Sequence, residues 1–237
     1  MGMIRKLVIA LIFSTASTCL HSETVNIFAL ELHGLHEKDN TGQYDKALLS
    51  ILTSPISATL DVLPPARAHK TFESCNNCCI SPANNNPEYY SFDVNTVFTD
   101  PLDIAKLYIF TSPGMPTVNN LKDLKGQSVG IRLGVPYGKK IGQLLYGDLK
   151  INVEKVYSSI SNIQKLAKGR INAFLDYTPD IYASFDLVDI DVYPHDKEHP
   201  INIHEDSLAC KGVSENFIKI FNTRLRKYQQ KNKTDPP

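Results

Sequence analysis

The chain of 237 residues has no tryptophan, no excess charge of either sign and no long apolar run beyond its first twenty residues. Each absence excludes something. With 25 Lys and Arg against 25 Asp and Glu, and no basic block before residue 224, nucleic acid is excluded as the main partner, because holding phosphates takes clustered cations. Without a second apolar run of about 20 residues, nothing after the start has the length of a membrane-crossing helix. Without Trp, any stacking on a ligand falls to Tyr, Phe and His. What is present is ordinary: 42% hydrophobic and 21% charged residues suit a globular protein of one or two domains.

Residues 1–22 join a charged start (Arg5, Lys6), an apolar stretch from Leu7 to Ala16 and small polar residues up to Ser22. This is the layout of a secretory signal peptide, too short to anchor the chain. Cleavage after Ser22 leaves a body of roughly 215 residues. The loss of Arg5 and Lys6 leaves 23 basic against 25 acidic residues, a charge of −2. The alternative, a lipoprotein beginning at Cys19, requires a lipobox that Ala16, Ser17 and Thr18 match poorly.

Cys75, Cys78, Cys79 and Cys210 remain, an even number in an exported chain, which favours disulfides over a redox motif or a zinc knuckle. Four thiols allow three pairings. We favour Cys75 with Cys78 across the Asn76-Asn77 turn and Cys79 with Cys210, tying the C-terminal part to the first half. Alternation along a strand predicts that Cys78 and Cys79 face opposite sides, one inward and one outward.

Hydrophobic patterning predicts a strand over Thr24–Leu30, a helix over Tyr44–Leu52, a strand over Ser57–Leu63, a helix opened by Pro64-Pro65 and a strand over Asn77–Ser81. After the irregular SPANNNPEYYSFDVNTVFTD, the LYIF run (Leu107–Phe110) begins a second unit. It continues with a short helix in NLKDLKG, a strand in SVGIR, a Gly/Pro turn LGVPYG that opens a helix, a helix capped by Ser159, and a strand in INAFLDY. SENFIKIFNTRLRKY closes the chain as an amphipathic helix capped by Ser214. Alternating strands and helices that restart half-way predict an α/β protein of two lobes with parallel sheets.

LPPARAHKTF (63–72), NNLKDLKGQSVGIRLGVPYG (119–138) and GRINAFLDY (169–177) together resemble the family 3 periplasmic solute-binding proteins, the type II fold of ABC-importer substrate receptors. The resemblance implies two lobes joined by two crossovers, with residues 23–108 plus 203–237 in the first and 109–202 in the second. It also implies a ligand cleft between lobes that close on a hinge. Four turns that follow strands qualify for the cleft: Leu30–His36, Pro64–Arg67, Gly134–Gly138 and Asp176–Pro179.

The candidate ligand contacts are Glu31, His33, Arg67, Gly134, Tyr137 and Asp176 on these turns, with Tyr89 in NNNPEYY and Arg132 at the end of SVGIR. Asp176 falls where the resemblance implies a carboxylate for a ligand's ammonium; otherwise it is a solvated strand end. Arg67 stands in a first helical turn, where a cation opposes the dipole and needs an anion, either a ligand's or a surface partner's. Gly134 and Tyr137 sit in the turn where relatives offer hydroxyls, so backbone N–H groups and Tyr137 take that part. Within NNNPEYY the resemblance implies an Arg gripping an α-carboxylate, and Tyr89 and Tyr90 stand there instead. Arg132 or Arg67 is left to supply a cation, although Arg132 could equally face solvent. His33 falls where relatives place a stacking aromatic. Among His33, His36, His195, His199 and His204, Pro194 and Pro200 closely flank His195 and His199, and no partner carboxylate spacing stands out, so no metal and no cofactor are expected.

The implied function is a monomeric periplasmic receptor that captures a small polar solute, amino-acid-like or otherwise, and delivers it to an ABC permease. An orphan receptor reporting to a membrane sensor is the alternative. An enzyme resembling the dehydratases of this fold comes third, because no set of nucleophile, base and orienter is apparent.

Overall fold

The computed structural model describes residues 24–234, so the expected leader lies outside the described residues. The first lobe is built on three parallel strands, β1 (Val25–Leu30), β2 (Ala58–Leu63) and β3 (Cys78–Ala83), with β1 in the middle. Helices α1 (Gln43–Ile51) and α2 (Pro65–Ser74) make the crossovers, α2 with Pro65 at its first turn, where a missing N–H costs nothing. Ile27 and Cys79 pack toward Leu48, Ile51 and Phe221, while Cys78 and Ile80 pack toward Tyr44, Ala68 and Phe72. Both faces of this sheet are covered, so Cys78 and Cys79 are both fully buried; the expected outward cysteine faces a second core, not solvent. Each fully buried Ile, Leu or Phe here contributes about 1.5–3 kcal/mol.

Cys75 is bonded to Cys78 beside the end of α2, and Cys79 to Cys210 across directly paired strands. Two long strands then carry the sheet out of the first lobe. β5 (Asp103–Thr111) and β9 (Asn202–Lys211) run antiparallel; β9 pairs with β3 through its second half and with β5 through its first, and the short β4 (Val97–Phe98) also pairs with β9.

The second lobe continues from β5 to β8 (Ala173–Thr178), β6 (Ser128–Arg132) and β7 (Asn152–Val156). β6 runs parallel to both its neighbours, and β5 antiparallel to β8. Helices α3 (Lys139–Tyr146), α4 (Ser159–Ala167) and α5 (Asp180–Leu187) flank it. Val129, Ile131 and Leu175 form one core with Ile141 and Leu145, and Phe110, Phe174 and Phe185 the other. Helix α6 (Glu215–Thr234) returns to the first lobe, where Phe217, Phe221 and Leu225 pack, and Ser214 accepts its capping bond from Phe217 N at 3.1 Å.

Two α/β lobes is thus the architecture, with one amendment: β5 and β9 belong to both, so the hydrogen-bonded path is continuous through eight strands, with β4 attached beside β9. Smaller corrections have local causes. Ser158, not Ser159, caps α4, its side chain accepting from Ser161 N. NLKDLKG forms a single 3-10 turn over Leu121–Leu124. Strands β7 and β9 and helix α5 escape the sequence pattern because NVEKV and NIHEDSLACK interleave charges with apolar residues, and DIYASFDL is short.

Candidate functional site

The carboxyl ends of the parallel strands in the two lobes face each other, and the lobes are closed. Gly134, at the end of β6, has φ +81°, and a β-carbon there would fall 2.8 Å from Ala66 N of the first lobe. Gly34 of the first lobe, φ +77°, is as tightly set against Ala183 of α5. Between these contacts lie two chambers that share Arg132 and Val135. The inner one has a volume of about 30 Å³, room for a water or two. The outer one, about 290 Å³, is lined from the first lobe by Glu31, His33 and Pro64–Ala66, and from the second by Leu133, Tyr157 and Ser159. Tyr157 at its rim is 86% exposed.

Arg132 is the centre of the inner chamber. It ends β6 and is only 6% exposed. The β6–β8 register, Val129 opposite Ala173 and Gly130 opposite Phe174, carried two residues further sets Arg132 beside Asp176. Its Nη2 lies 2.6 Å from Asp176 Oδ1 and 2.6 Å from Asp180 Oδ2. Asp176 is therefore not a free carboxylate at a strand end, nor does Arg132 face solvent: one guanidinium serves two buried carboxylates. Burial raises the Asp176 carboxyl above its usual range against the pull of Arg132. Asp180 is pushed up to about 7, by burial first and by the neighbouring Asp176 charge, with Arg132 opposing. Arg132 Nε and Asp176 Oδ2 are buried without a partner.

The other wall of the inner chamber is aromatic and acidic. Asp206 of β9 accepts from Tyr44 OH at 2.9 Å and lies 3.1 Å from His204 Nε2. The His204 ring is held edge-on between Tyr89 and Tyr177, each with a centroid separation of 4.9 Å. Tyr137 lies beneath, its hydroxyl accepting from Arg132 N at 2.9 Å while its ring stacks on Tyr177. A strap joins the lobes beside them: Glu88 accepts from the first-turn amides of α3, its carbonyl from Lys139 N at 2.9 Å and its carboxylate from Lys140 N. A helix N-terminus favours a carboxylate, and here the chain supplies its own.

The structure thus brings Glu31, His33 and Arg132 to the chambers. Glu31 is paired with Lys38 at 3.0 Å and His33 with Glu37 at 3.4 Å. Asp176 and Tyr137 hold Arg132 from behind and Gly134 is the lobe contact, while Tyr89 lines a neighbouring groove with His69 and Phe92. Arg67 is exposed and lines neither chamber. Asp180, His204, Asp206 and Glu88 were missed; only Asp180, an acid in a first helical turn right after Thr178-Pro179, had a visible signal.

A further constellation lies away from the cleft. His36 Nδ1 is 2.6 Å from Asp45 Oδ1 and Nε2 is 2.9 Å from Ser81 Oγ, the connectivity of a nucleophile, base and orienter. All three residues are fully buried and none lines either chamber, so Ser81 has no route to a substrate. Among the described residues no group of three or more His, Cys, Asp or Glu is placed to hold a metal ion, and no helix is long and apolar enough to cross a membrane.

No family model matches the sequence, and no curated protein does. Solved structures do. The substrate-binding protein of an amino acid ABC transporter superposes with a TM-score of 0.66 at 9% identity, covering 90% of this chain and 96% of that one. This chain has the two-lobed periplasmic binding-protein fold. The ligand-binding core of GluR0 in complex with L-glutamate gives 0.70 at 12% identity, covering 90% and 95%. An ancestral amino-acid-binding protein, described as a precursor of cyclohexadienyl dehydratase, gives 0.63 at 13%, covering 90% and 92%.

Proposed function

We propose that the protein is a receptor for a small polar solute, held between its lobes and handed to an ABC importer in the periplasm. The observation that carries this reading is the pair of chambers lined from both lobes around Arg132. The larger is close to the size that an amino-acid-sized molecule fills. Residues 23–108 with 203–237 and residues 109–202 are taken as the two moving bodies, hinged at the β5 and β9 crossings. Export rests on the leader expected at residues 1–22, and the permease partner on the solved transporter protein of like fold.

A dehydratase role, suggested by one structural neighbour, has less support: the Ser81, His36 and Asp45 connectivity lines neither chamber. The test is native mass spectrometry of protein purified from its own periplasm, followed by thermal unfolding with amino acids, amines, organic acids and sugars. A retained mass, or a rise in Tm that follows RT ln(1 + [L]/Kd), is expected. Protein that carries no ligand and responds to no compound class would sink the reading.

A further inference from the structure

Two places, Arg132 in the cleft and the α3 N-terminus at the junction of the lobes, could hold a ligand's carboxylate, and the chain has filled both with carboxylates of its own. Arg132 is the one Arg or Lys side chain among the residues lining the two chambers, and its Nη2 is 2.6 Å from both Asp176 and Asp180. The α3 N-terminus, on the second lobe's side, is taken by Glu88 reaching across from the first. The amide of Ser161 in the α4 first turn is likewise taken, by Ser158. What is left over is acceptor: Asp176, Asp180 and Asp206 outnumber Arg132, and Asp180 and Asp206 line the inner chamber together with the rings of Tyr90, Tyr177 and His204. Acid in excess beside aromatic faces attracts a cation and repels an anion.

We propose that the cleft takes a small organic cation that bears no carboxylate, a protonated amine or guanidine on an aliphatic or aromatic body. The inference rests on the receptor reading and narrows it. The ammonium or guanidinium head sits against Asp180 and Asp206 in the inner chamber, which has room for little more, and the body passes Arg132 and Val135, shared by both chambers, into the 290 Å³ chamber. An amino acid of the same body would bring its carboxylate toward Asp180, Asp206 or Glu31, where the one lining Arg or Lys, Arg132, is already paired with two carboxylates.

The experiment sets amines against their carboxylated parents on the purified mature protein, by thermal unfolding and calorimetric titration: agmatine with arginine, tyramine with tyrosine, histamine with histidine. At least one amine should raise Tm, and bind about 100-fold or more tightly than its parent. Asp180→Asn should weaken that amine about tenfold; if this variant does not unfold cooperatively, Asp206→Asn takes its place with the same expectation. Glu88→Ala should narrow the gap between amine and parent by freeing the Lys140 amide of α3, while Lys139 N stays bonded to the backbone carbonyl of residue 88. A parent binding as tightly as its amine overturns the inference and leaves the receptor reading standing, as does a response confined to sugars or organic acids. Silence across every class overturns both. Undiminished amine binding in the folded Asp180 or Asp206 variant overturns the assignment of the cation to that wall.

Discussion

Each lobe buries one charged network, and the two are built differently. In the first lobe His36 is satisfied on both ring nitrogens, by Asp45 and Ser81, while Asp45 also accepts from the amides of Glu37 and Gly42. In the second lobe Arg132 is shared by two carboxylates and leaves Arg132 Nε and Asp176 Oδ2 without partners. In the first network both ring nitrogens and both carboxylate oxygens are hydrogen-bonded, and its residues line neither chamber; the second has acid in excess and lies on the cleft. A saturated polar network fixes a fold, whereas one left incomplete at a cavity retains capacity to bind.

Breaking the saturated network should have the largest effect. Asp45→Ala leaves a buried imidazole and two backbone amides unpaired, and should cost about 3–5 kcal/mol in denaturant unfolding. The same variant should leave ligand affinity unchanged once folded; a concurrent loss of affinity would tie this network to the cleft. Burial works against the Asp45 carboxylate, but the bonds from His36, Glu37 and Gly42 hold its carboxyl below the usual range. Its contribution is therefore present above pH 4 and should be lost as pH falls further, a loss the variant should not show.

The second network should respond to pH in the opposite sense. Asp180, at about 7 in the folded protein against an ordinary 3.8, binds its proton more tightly folded than unfolded. Its contribution is fully present at low pH and is lost as pH rises through the interval from about 4 to 7. The wild type should therefore lose on the order of 2 kcal/mol relative to Asp180→Asn between pH 5 and pH 8. Equal slopes for the two proteins would show that Asp180 is already ionised at pH 5. A bound cation favours the ionised carboxylate, so amine affinity should rise over the same interval.

Smaller effects belong to the rim. Removing the Glu88 strap (Glu88→Ala) should cost about 1 kcal/mol, the usual worth of a helix cap, and enlarge the radius of gyration seen by X-ray scattering as the lobes part. Lys38→Ala, which breaks only an exposed pair with Glu31, should change stability by less than about 1 kcal/mol. A larger change there would mean that the outer chamber depends on Glu31 being held in place.

The contrast also explains what the sequence could disclose. Strands such as VNIFAL and helices opened by Pro or closed by Gly are local features, and they were legible, as was the restart of the α/β alternation that separates the lobes. Positions at strand ends, Glu31, Arg132 and Asp176, were legible for the same reason. Their partnerships were not. Arg132 and Asp176 are 44 positions apart and become neighbours only through the β6–β8 register, and Asp206 joins the cleft only because β9 crosses between lobes. Glu88 lies in the very segment where a gripping Arg was sought; nothing local marks a side chain whose acceptors serve a helix in the other lobe.

The Cys79–Cys210 bond joins residues 131 positions apart, so that everything from the start of β3 to nearly the end of β9, the second lobe included, hangs within one covalent ring. Topologically the second lobe is an insertion whose two ends are riveted together at the first lobe's sheet. A protease nick in any of its surface loops would leave the fragments joined while the bond is oxidised, with β3 still tied to β9 at the directly opposed Cys79 and Cys210. A cut in the second lobe is thereby kept from separating the two halves of the first lobe's sheet.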